Sequence, residues 1–281
     1  MILHDRLTAA RDALVHAGIQ SGEAAVDVDL YARTILGWER ADLLTRLTEP
    51  APSDLEPRFS EWIARRARGE PSAYIVGRRE FWGLEFRVSP AVLIPRPETE
   101  FIVEEALKLI QPAPGCRIAD IGTGSGCIVV ALAREIPECS MTATDVSSDA
   151  LEVARDNARR HGVADRITFV QTSYLDGIAG QFDAIVANPP YVRQGDKPAL
   201  ARDVKHEPDV ALFGGTTGLR DIDGAMEAAV NGLKPGGWFV MEFGFGQEDE
   251  VRALLQLRPL RLDHVHEDLQ GIPRTAIIQR A

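Results

Sequence analysis

From Cys116 to the C-terminus, apolar runs of strand length alternate with stretches that repeat at helical spacing. Alternation of this kind restricts the fold more than any composition does, because it specifies a mostly parallel sheet covered by helices. The predicted strands are 117–121, 140–144, 167–171, the run of Phe182 with 184–186, and 238–243; 260–266 and 275–279 close the chain. The predicted helices are 128–134, 150–161, 222–233 and 248–257. In open sheets of this type, ligands bind outside the carboxyl ends of the strands, where the strand order reverses. The residues that follow each strand are therefore the ones to read for chemistry.

The first strand runs into Gly122-Thr123-Gly124-Ser125-Gly126 and then into a helix. Alternating glycines let the backbone approach a ligand without obstruction from Cβ, and the helix start offers unpaired N–H groups. The spacing is G-x-G-x-G and not the G-x-G-x-x-G that fits a pyrophosphate. About twenty residues on, Asp145 ends the second strand, where a carboxylate accepts hydrogen bonds from ribose hydroxyls. Together these features indicate an adenosine-bearing ligand. The competing role for Asp145 is to cap the following helix, a role that Ser147 or Ser148 also fits.

The fourth strand stops at Asn188-Pro189-Pro190-Tyr191. Two prolines cannot continue a central strand, and each restricts the residue before it. A polar amide, a backbone carbonyl and an aromatic ring are thus held stiffly at the carboxyl end of a strand. The Asn188 side-chain oxygen and the Pro189 carbonyl are two acceptors at a fixed separation. Such a pair suits a primary amide nitrogen, which carries two hydrogens and is a poor nucleophile. Accepting both hydrogens aims the nitrogen and stabilises the positive charge it gains on alkylation. Tyr191 is placed to pack on the amide plane. No Ser/His/Asp or Cys/His arrangement is evident, and the scattered histidines predict no metal site.

Residues 1–75 read as a small helical bundle. Leu3, Leu7, Ala10, Leu14 and Ala17 share one face, ended by Gly18; Val28, Tyr31, Ala32, Ile35 and Leu36 form a second, ended by Gly37. Residues 41–47 make a shorter third piece. A helix beginning at Phe59, Trp62 and Ile63 carries Arg65, Arg66 and Arg68 at its end. Basic residues there complement the helix dipole on a solvated surface; a partner-binding patch is the alternative. Residues 81–88 and 91–94 flank Ser89-Pro90 and predict a β-hairpin linker. The domain scheme is a helical unit over 1–75, a linker over 76–96 and a sheet domain over 97–281, the last entered through a helix over 101–110.

Length and composition, at 281 residues with 45% hydrophobic and 26% charged, suit a soluble globular chain of one large or two ordinary domains. No apolar run is long enough to span a membrane, and the first residues lack a signal-peptide core. Cys116, Cys127 and Cys139 form no C-x-x-C pair and are read as reduced thiols in a cytoplasmic protein. A net charge of −11 disfavours sequence-blind binding to nucleic acid.

With the glycine loop and Asn-Pro-Pro-Tyr together, the chain resembles the class I S-adenosylmethionine-dependent methyltransferases, and within them the HemK/PrmC family that methylates a glutamine of peptide chain release factors. Further stretches carry the resemblance. They are Asp27-Val28-Asp29-Leu30, Glu80-Phe81-Trp82-Gly83-Leu84, Leu93-Ile94-Pro95-Arg96-Pro97-Glu98-Thr99-Glu100, Glu207-Pro208, Glu242-Phe243-Gly244 with Gln247, and Asp268-Leu269-Gln270-Gly271 with Arg274. The resemblance implies a Rossmann-like sheet domain behind a helical substrate-recognition domain. It implies S-adenosylmethionine along Gly122, Thr123, Gly124, Ser125 and Gly126, with Asp145 on the ribose and Asn188 beside the cofactor. Tyr174 falls where the family carries an aromatic near the adenine; the other reading of Tyr174 is a half-buried loop aromatic. Asn188, Pro189, Pro190 and Tyr191 would bind the substrate glutamine, expected in a Gly-Gly-Gln context. The implied partner is a release factor met by a monomer, with no membrane and no direct nucleic-acid substrate. Two rivals share the four residues: a glutamine methyltransferase of a ribosomal protein, and an adenine-N6 methyltransferase acting on a flipped base. A nucleotide-binding module without catalysis is a third, and has no need of Asn-Pro-Pro-Tyr.

Overall fold

The structure, a computed structural model, describes residues 1–111 and 113–281. It divides into two compact units, Met1–Gly77 with Ala201–His206, and Arg78–Leu200 with Glu207–Ala281.

The first unit is helical: α1 (Leu3–His16), α2 (Ser21–Leu36), α3 (Arg40–Thr45), α4 (Arg58–Ala67) and α5 (Ser72–Val76). Its core gathers Leu3, Ala10, Leu14, Val28, Tyr31, Phe59 and Trp62, the faces that the helical spacing predicts. Gly37 ends α2 in the left-handed conformation, which leaves the cap amide free to bond Arg33 O. The arginines of α4 correct the surface reading. Arg66 is buried and donates from Nε to Asp27 Oδ2 at 2.7 Å, and it also pairs with Glu23. Asp27 accepts a second bond from Ser72, which contacts the Tyr31 hydroxyl at 2.8 Å. The reason for Asp27 is therefore to neutralise a buried guanidinium. Removing either partner would strand the other charge, at about 3–5 kcal/mol. Arg65 pairs with Glu70 at 2.5 Å.

The second unit opens on a hairpin, β1 (Arg78–Phe81) and β2 (Leu84–Arg87), paired antiparallel with Phe81 opposite Leu84. Its turn is at Trp82-Gly83 and not at Ser89-Pro90, and 91–94 is not a strand. Trp82 and Gly83 have φ of 54° and 65°, the two successive positive values of the tight turn whose twist matches a hairpin. A glycine signals that conformation in a sequence; a tryptophan hides it. Phe81 and Phe86 are buried in the core of the sheet unit, each contributing about 1.5–3 kcal/mol.

The seven-stranded sheet comprises β3 (Arg117–Ile121), β4 (Ser140–Asp145), β5 (Ile167–Gln171), β6 (Phe182–Ala187), β7 (Leu233–Glu242), β8 (Leu260–Glu267) and β9 (Pro273–Arg280), in the order β5-β4-β3-β6-β7-β9-β8. β3 to β7 run parallel, and β9 and β8 close the edge antiparallel. Alternate residues divide the faces. Ile118, Ala184 and Val186 pack under α6 (Glu100–Leu109), α7 (Cys127–Glu135) and α8 (Ser148–Arg160). Ala119, Ile121, Ile185 and Ala187 pack under α10 (Arg220–Gly232) and α11 (Glu248–Leu255), which follow the single turn α9 (Asp209–Leu212). The order reverses between β3 and β6, so the ends of these two strands flank one crevice, as doubly wound sheets require.

The expectation of three reduced thiols needs a correction. Cys116 and Cys139 form a disulfide, with Cα atoms 4.7 Å apart, while Cys127 is buried and free. Arg117 and Ser140 are register partners, so the residues preceding them meet side by side. Sequence spacing does not reveal that register.

Candidate functional site

Ile121 and Ala187 are register neighbours at the crevice. Just beyond them the two sequence motifs face a cavity of about 290 Å³. Its walls include Gly122, Thr123, Gly124 and Ser125 from the loop after β3, and Asn188, Pro189 and Pro190 from the turn after β6. Asp145 and Tyr174 line it from the ends of β4 and β5. Gly126 and Tyr191 are not part of the wall.

The glycine loop is built to leave room. Gly122 and Gly124 have φ of 70° and 54°, and a Cβ added at Gly122 would meet nothing within 4 Å. Thr123 N–H bonds Thr144 O at 2.9 Å, tying the loop to the neighbouring strand. Asn157, fully buried on α8, donates to Ser125 O at 2.8 Å and to Arg87 O at 3.0 Å, holding loop and hairpin together. Asp145 accepts the Gly124 and Ser147 amides, each at 2.9 Å. Ser147, whose side chain accepts Ala150 N–H at 3.2 Å, is the cap of α8. The alternative of Asp145 as that cap is thereby removed. Burial raises the Asp145 carboxyl above its ordinary pKa, against the lowering effect of the backbone N–H groups of Ser147, Gly124 and Val146.

Asp120 is a residue the sequence reading gave no role. It is buried behind the loop, accepts Thr123 Oγ1 at 2.6 Å and leaves Oδ1 without a partner. Burial, with a hydrogen bond from Thr123 opposing it and the charge of Asp145 adding to it, pushes its pKa up to about 7. The signal for it was an acidic residue inside an otherwise apolar strand. The Asp145 carboxyl on the wall and the open space before Gly122 suit a ligand that carries ribose hydroxyls. By that test S-adenosylmethionine fits the cavity.

Tyr174 has a positive φ of 48° and donates its hydroxyl to Asp221 at 3.1 Å. Burial, and next the Asp221 charge, push its pKa up to about 12. Its ring packs against α10 at Gly224, where a Cβ would lie only 2.2 Å from the ring.

Asn188 is anchored by two residues whose roles the sequence reading did not assign. Its Nδ2 donates to Thr99 Oγ1 at 3.0 Å, and Thr99 donates to Glu242 Oε2 at 2.7 Å. Tyr191 donates its hydroxyl to the other oxygen, Glu242 Oε1, at 3.1 Å. Tyr191 thus sits behind the turn as a brace and does not line the cavity. Burial pushes the Glu242 pKa up to about 7 against the bonds from Thr99 and Tyr191. The charge of Glu242, and next burial, raise the Tyr191 phenol. Gln247, also buried, donates to Tyr191 O at 3.1 Å and accepts Gly244 N–H at 2.8 Å. Glu207, buried, accepts Ile94 N–H at 3.0 Å and pairs with Arg96, fixing the strap that delivers Thr99. Among the described residues, no group of three or more His, Cys, Asp or Glu could hold a metal ion, and no helix is long and apolar enough to cross a membrane.

The comparisons with known proteins agree with one another. The family described as methyltransferase small domain matches residues 99–212, and the PrmC N-terminal domain matches residues 5–77. A release factor glutamine methyltransferase of Bradyrhizobium diazoefficiens is 42% identical over 260 residues, covering 91% of this chain and 88% of its own. One from Koribacter versatilis is 42% identical over 255 residues, covering 90% of each. Among solved structures, a methyltransferase from Pyrococcus furiosus is similar with a TM-score of 0.52 and 21% identity, over 71% of this chain and 90% of its own. The hMettl16 catalytic domain is similar with a TM-score of 0.58 and 17% identity, over 77% and 81%. These two likenesses concern the fold alone.

Proposed function

The chain belongs to the release factor glutamine methyltransferase family, and from that premise we propose that it transfers a methyl group from S-adenosylmethionine to the side-chain amide nitrogen of a Gly-Gly-Gln-type glutamine in a peptide chain release factor. The observation that carries the reading is the anchored amide of Asn188 at the wall of the glycine-loop cavity. Gly122, Thr123, Gly124 and Ser125 hold the methionine part of the cofactor, Asp145 the ribose, and Tyr174 the side of the adenine. The cofactor supplies an electrophilic methyl on a good leaving group. Asn188 Oδ1 and the Pro189 carbonyl accept the two amide hydrogens of the glutamine and aim its nitrogen. Their partial negative charges stabilise the positive charge that the nitrogen gains, a preorganised electrostatic contribution. Pro189 and Pro190 keep the two acceptors from relaxing, and Tyr191 braces the turn through Glu242. No side-chain base is needed, since the alkylated nitrogen releases its proton to solvent.

One glutamine must be chosen among many, and a cavity of this size contacts only a few residues. Specific protein recognition takes roughly 1,000 Å² or more of interface. The helical unit over 1–75 supplies that surface in this reading. The two rivals, a ribosomal-protein glutamine and a nucleic-acid adenine, are not favoured: relatives alike over about nine-tenths of the chain bear the release factor name. Labelled cofactor offered with separate pools of release factors, ribosomal proteins and nucleic acid tests the proposal. Label confined to release factors is expected; label on either other pool in its place overturns it.

A further inference from the structure

The sequence marks Glu242-Phe243-Gly244 with Gln247, and Thr99 at the close of Pro95-Arg96-Pro97-Glu98-Thr99, as motifs, yet the methyl transfer as derived so far uses Glu242 only as a brace for Tyr191 and Thr99 only as an anchor for Asn188. Thr99 and Glu242 are 143 residues apart in the chain and come together directly behind Asn188. Both are almost fully buried, at 2% exposure each, so their hydrogen bonds are not shared with bulk water.

We propose that Glu242, acting through Thr99, is a positioning residue that sets which end of the Asn188 amide faces the substrate, and so makes the site select an amide over a carboxylate. The inference rests on the reading that the substrate group is a glutamine amide. An amide side chain has two nearly isosteric orientations, one presenting an acceptor and the other a donor, and only its hydrogen-bond partners choose between them. Above a pH of about 7, where Glu242 is ionised, its carboxylate only accepts. Glu242 therefore draws the Thr99 hydroxyl proton to Oε2 and the Tyr191 proton to Oε1. With its proton committed, Thr99 Oγ1 has only lone pairs left for Asn188. The Asn188 NH₂ must turn to Thr99, which leaves Oδ1 at the opposite end of the amide, toward the cavity.

An acceptor so placed favours a glutamine, which brings two N–H donors. It repels a glutamate side chain of the same shape, which brings only acceptors. The discrimination is a matter of buried polar groups paired or left unpaired, and such discrimination reaches large factors where apolar fit does not.

Three variants test the chain of bonds. Glu242→Gln keeps shape and volume but adds a donor. With its oxygen on Tyr191, its NH₂ donates to Thr99, the Thr99 proton turns to Asn188, and Asn188 reverses. Thr99→Val removes the relay, whereas Thr99→Ser keeps its hydroxyl. Wild type and variants are compared by kcat and KM on a short Gly-Gly-Gln peptide at saturating cofactor, and by calorimetry of S-adenosylmethionine. A further readout needs no turnover: the affinities of the Gly-Gly-Gln peptide and its Gly-Gly-Glu counterpart for the enzyme with S-adenosylhomocysteine.

Glu242→Gln and Thr99→Val should each lower kcat about tenfold or more, the scale of one misplaced preorganised contact, with cofactor affinity nearly unchanged. Both should narrow the preference for the glutamine peptide over the glutamate peptide, and Thr99→Ser should restore rate and preference. Wild-type kcat and wild-type peptide preference in Thr99→Val would overturn the inference, as would equal losses in Thr99→Ser and Thr99→Val. A wild-type enzyme that leaves the glutamine unmethylated would overturn the functional reading, while the peptide preference of the variants would still judge the orientation of Asn188.

Discussion

Replacing Gly224 with alanine should weaken cofactor binding while leaving the fold and the chemistry largely in place. Gly224 lies on α10, whose neighbouring residues Ile222, Ala225 and Met226 are locked into the core beneath the sheet. An added Cβ would lie 2.2 Å from Tyr174 Cζ, 2.3 Å from the phenol oxygen and 2.7 Å from Cε2. Carbon atoms in contact need about 3.5–4.0 Å, so the ring edge must move by more than about 1 Å. The ring bears on the cavity wall, and its backbone already holds a positive φ of 48°. Little slack remains on that side. For stability, alanine gains about 1 kcal/mol over glycine in a helix, against about 1–3 kcal/mol for overpacking. The net cost is between about zero and 2 kcal/mol, which a protein of ordinary stability survives. For the cofactor, an aromatic face under a base is worth about 1–3 kcal/mol, or roughly fivefold to hundredfold in affinity. Isothermal titration of S-adenosylmethionine into wild type, Gly224→Ala, Tyr174→Ala and the double variant measures this. If alanine acts by displacing the ring, the double variant binds like Tyr174→Ala alone. Unchanged affinity in Gly224→Ala, or losses that add in the double variant, would refute the reasoning.

Other consequences are as direct. Asn188→Ala should lower the single-turnover rate by roughly 10²–10³ with cofactor affinity nearly intact; a rate within about threefold of wild type would remove Asn188 from the chemistry. Asp145→Ala deletes an acceptor worth about 1.5–3 kcal/mol, so calorimetry should show roughly tenfold to hundredfold weaker cofactor binding. Glu105, buried on α6, feels burial that raises its pKa, but hydrogen bonds from Lys108 and His266 outweigh it and hold the carboxyl below its ordinary 4.5. A depressed folded pKa gives stability that is complete above the unfolded value and is lost as pH falls through the folded one. Glu105→Gln should therefore unfold at a lower temperature at neutral pH, the gap closing in acid below about 4.5; a gap independent of pH would contradict this. Thiol titration of unreduced, unfolded protein should count Cys127 alone, and three reactive thiols would contradict the Cys116–Cys139 pairing.

Much of the sheet could be read from periodicity, because strands buried on both faces leave long apolar runs and the helices between them keep one apolar face. The extra length of β7 escaped that reading. It begins at Leu233, before Pro235-Gly236-Gly237, which reads as a turn in a sequence yet continues the strand here. The hairpin escaped as well, since Ser89-Pro90 carries the stronger local turn signal while the positive φ at Trp82 has none. Arg66 looked like surface because nothing local announces that Asp27 waits for it across the bundle. The wall of the site was legible, because glycines and prolines mark backbone geometry residue by residue. The polar contacts that hold Asn188 were not, although Thr99 itself stands on the wall. Thr99 and Glu242 act on Asn188 only after three distant segments converge, and an acidic residue ending an apolar strand has many possible partners until the fold selects one.

The central claim, that the methyl group lands on the side-chain nitrogen of one release factor glutamine, has a direct test. Release factor enriched in ¹⁵N at its glutamine side chains is methylated with ¹³C-methyl S-adenosylmethionine, and the product is examined by NMR and by fragment mass spectrometry. The account predicts a single new carbon–nitrogen coupling, confined to one glutamine of a Gly-Gly-Gln segment and absent with Asn188→Ala enzyme. A methyl group on oxygen, on a lysine or on the backbone, or one spread over several glutamines, would contradict it.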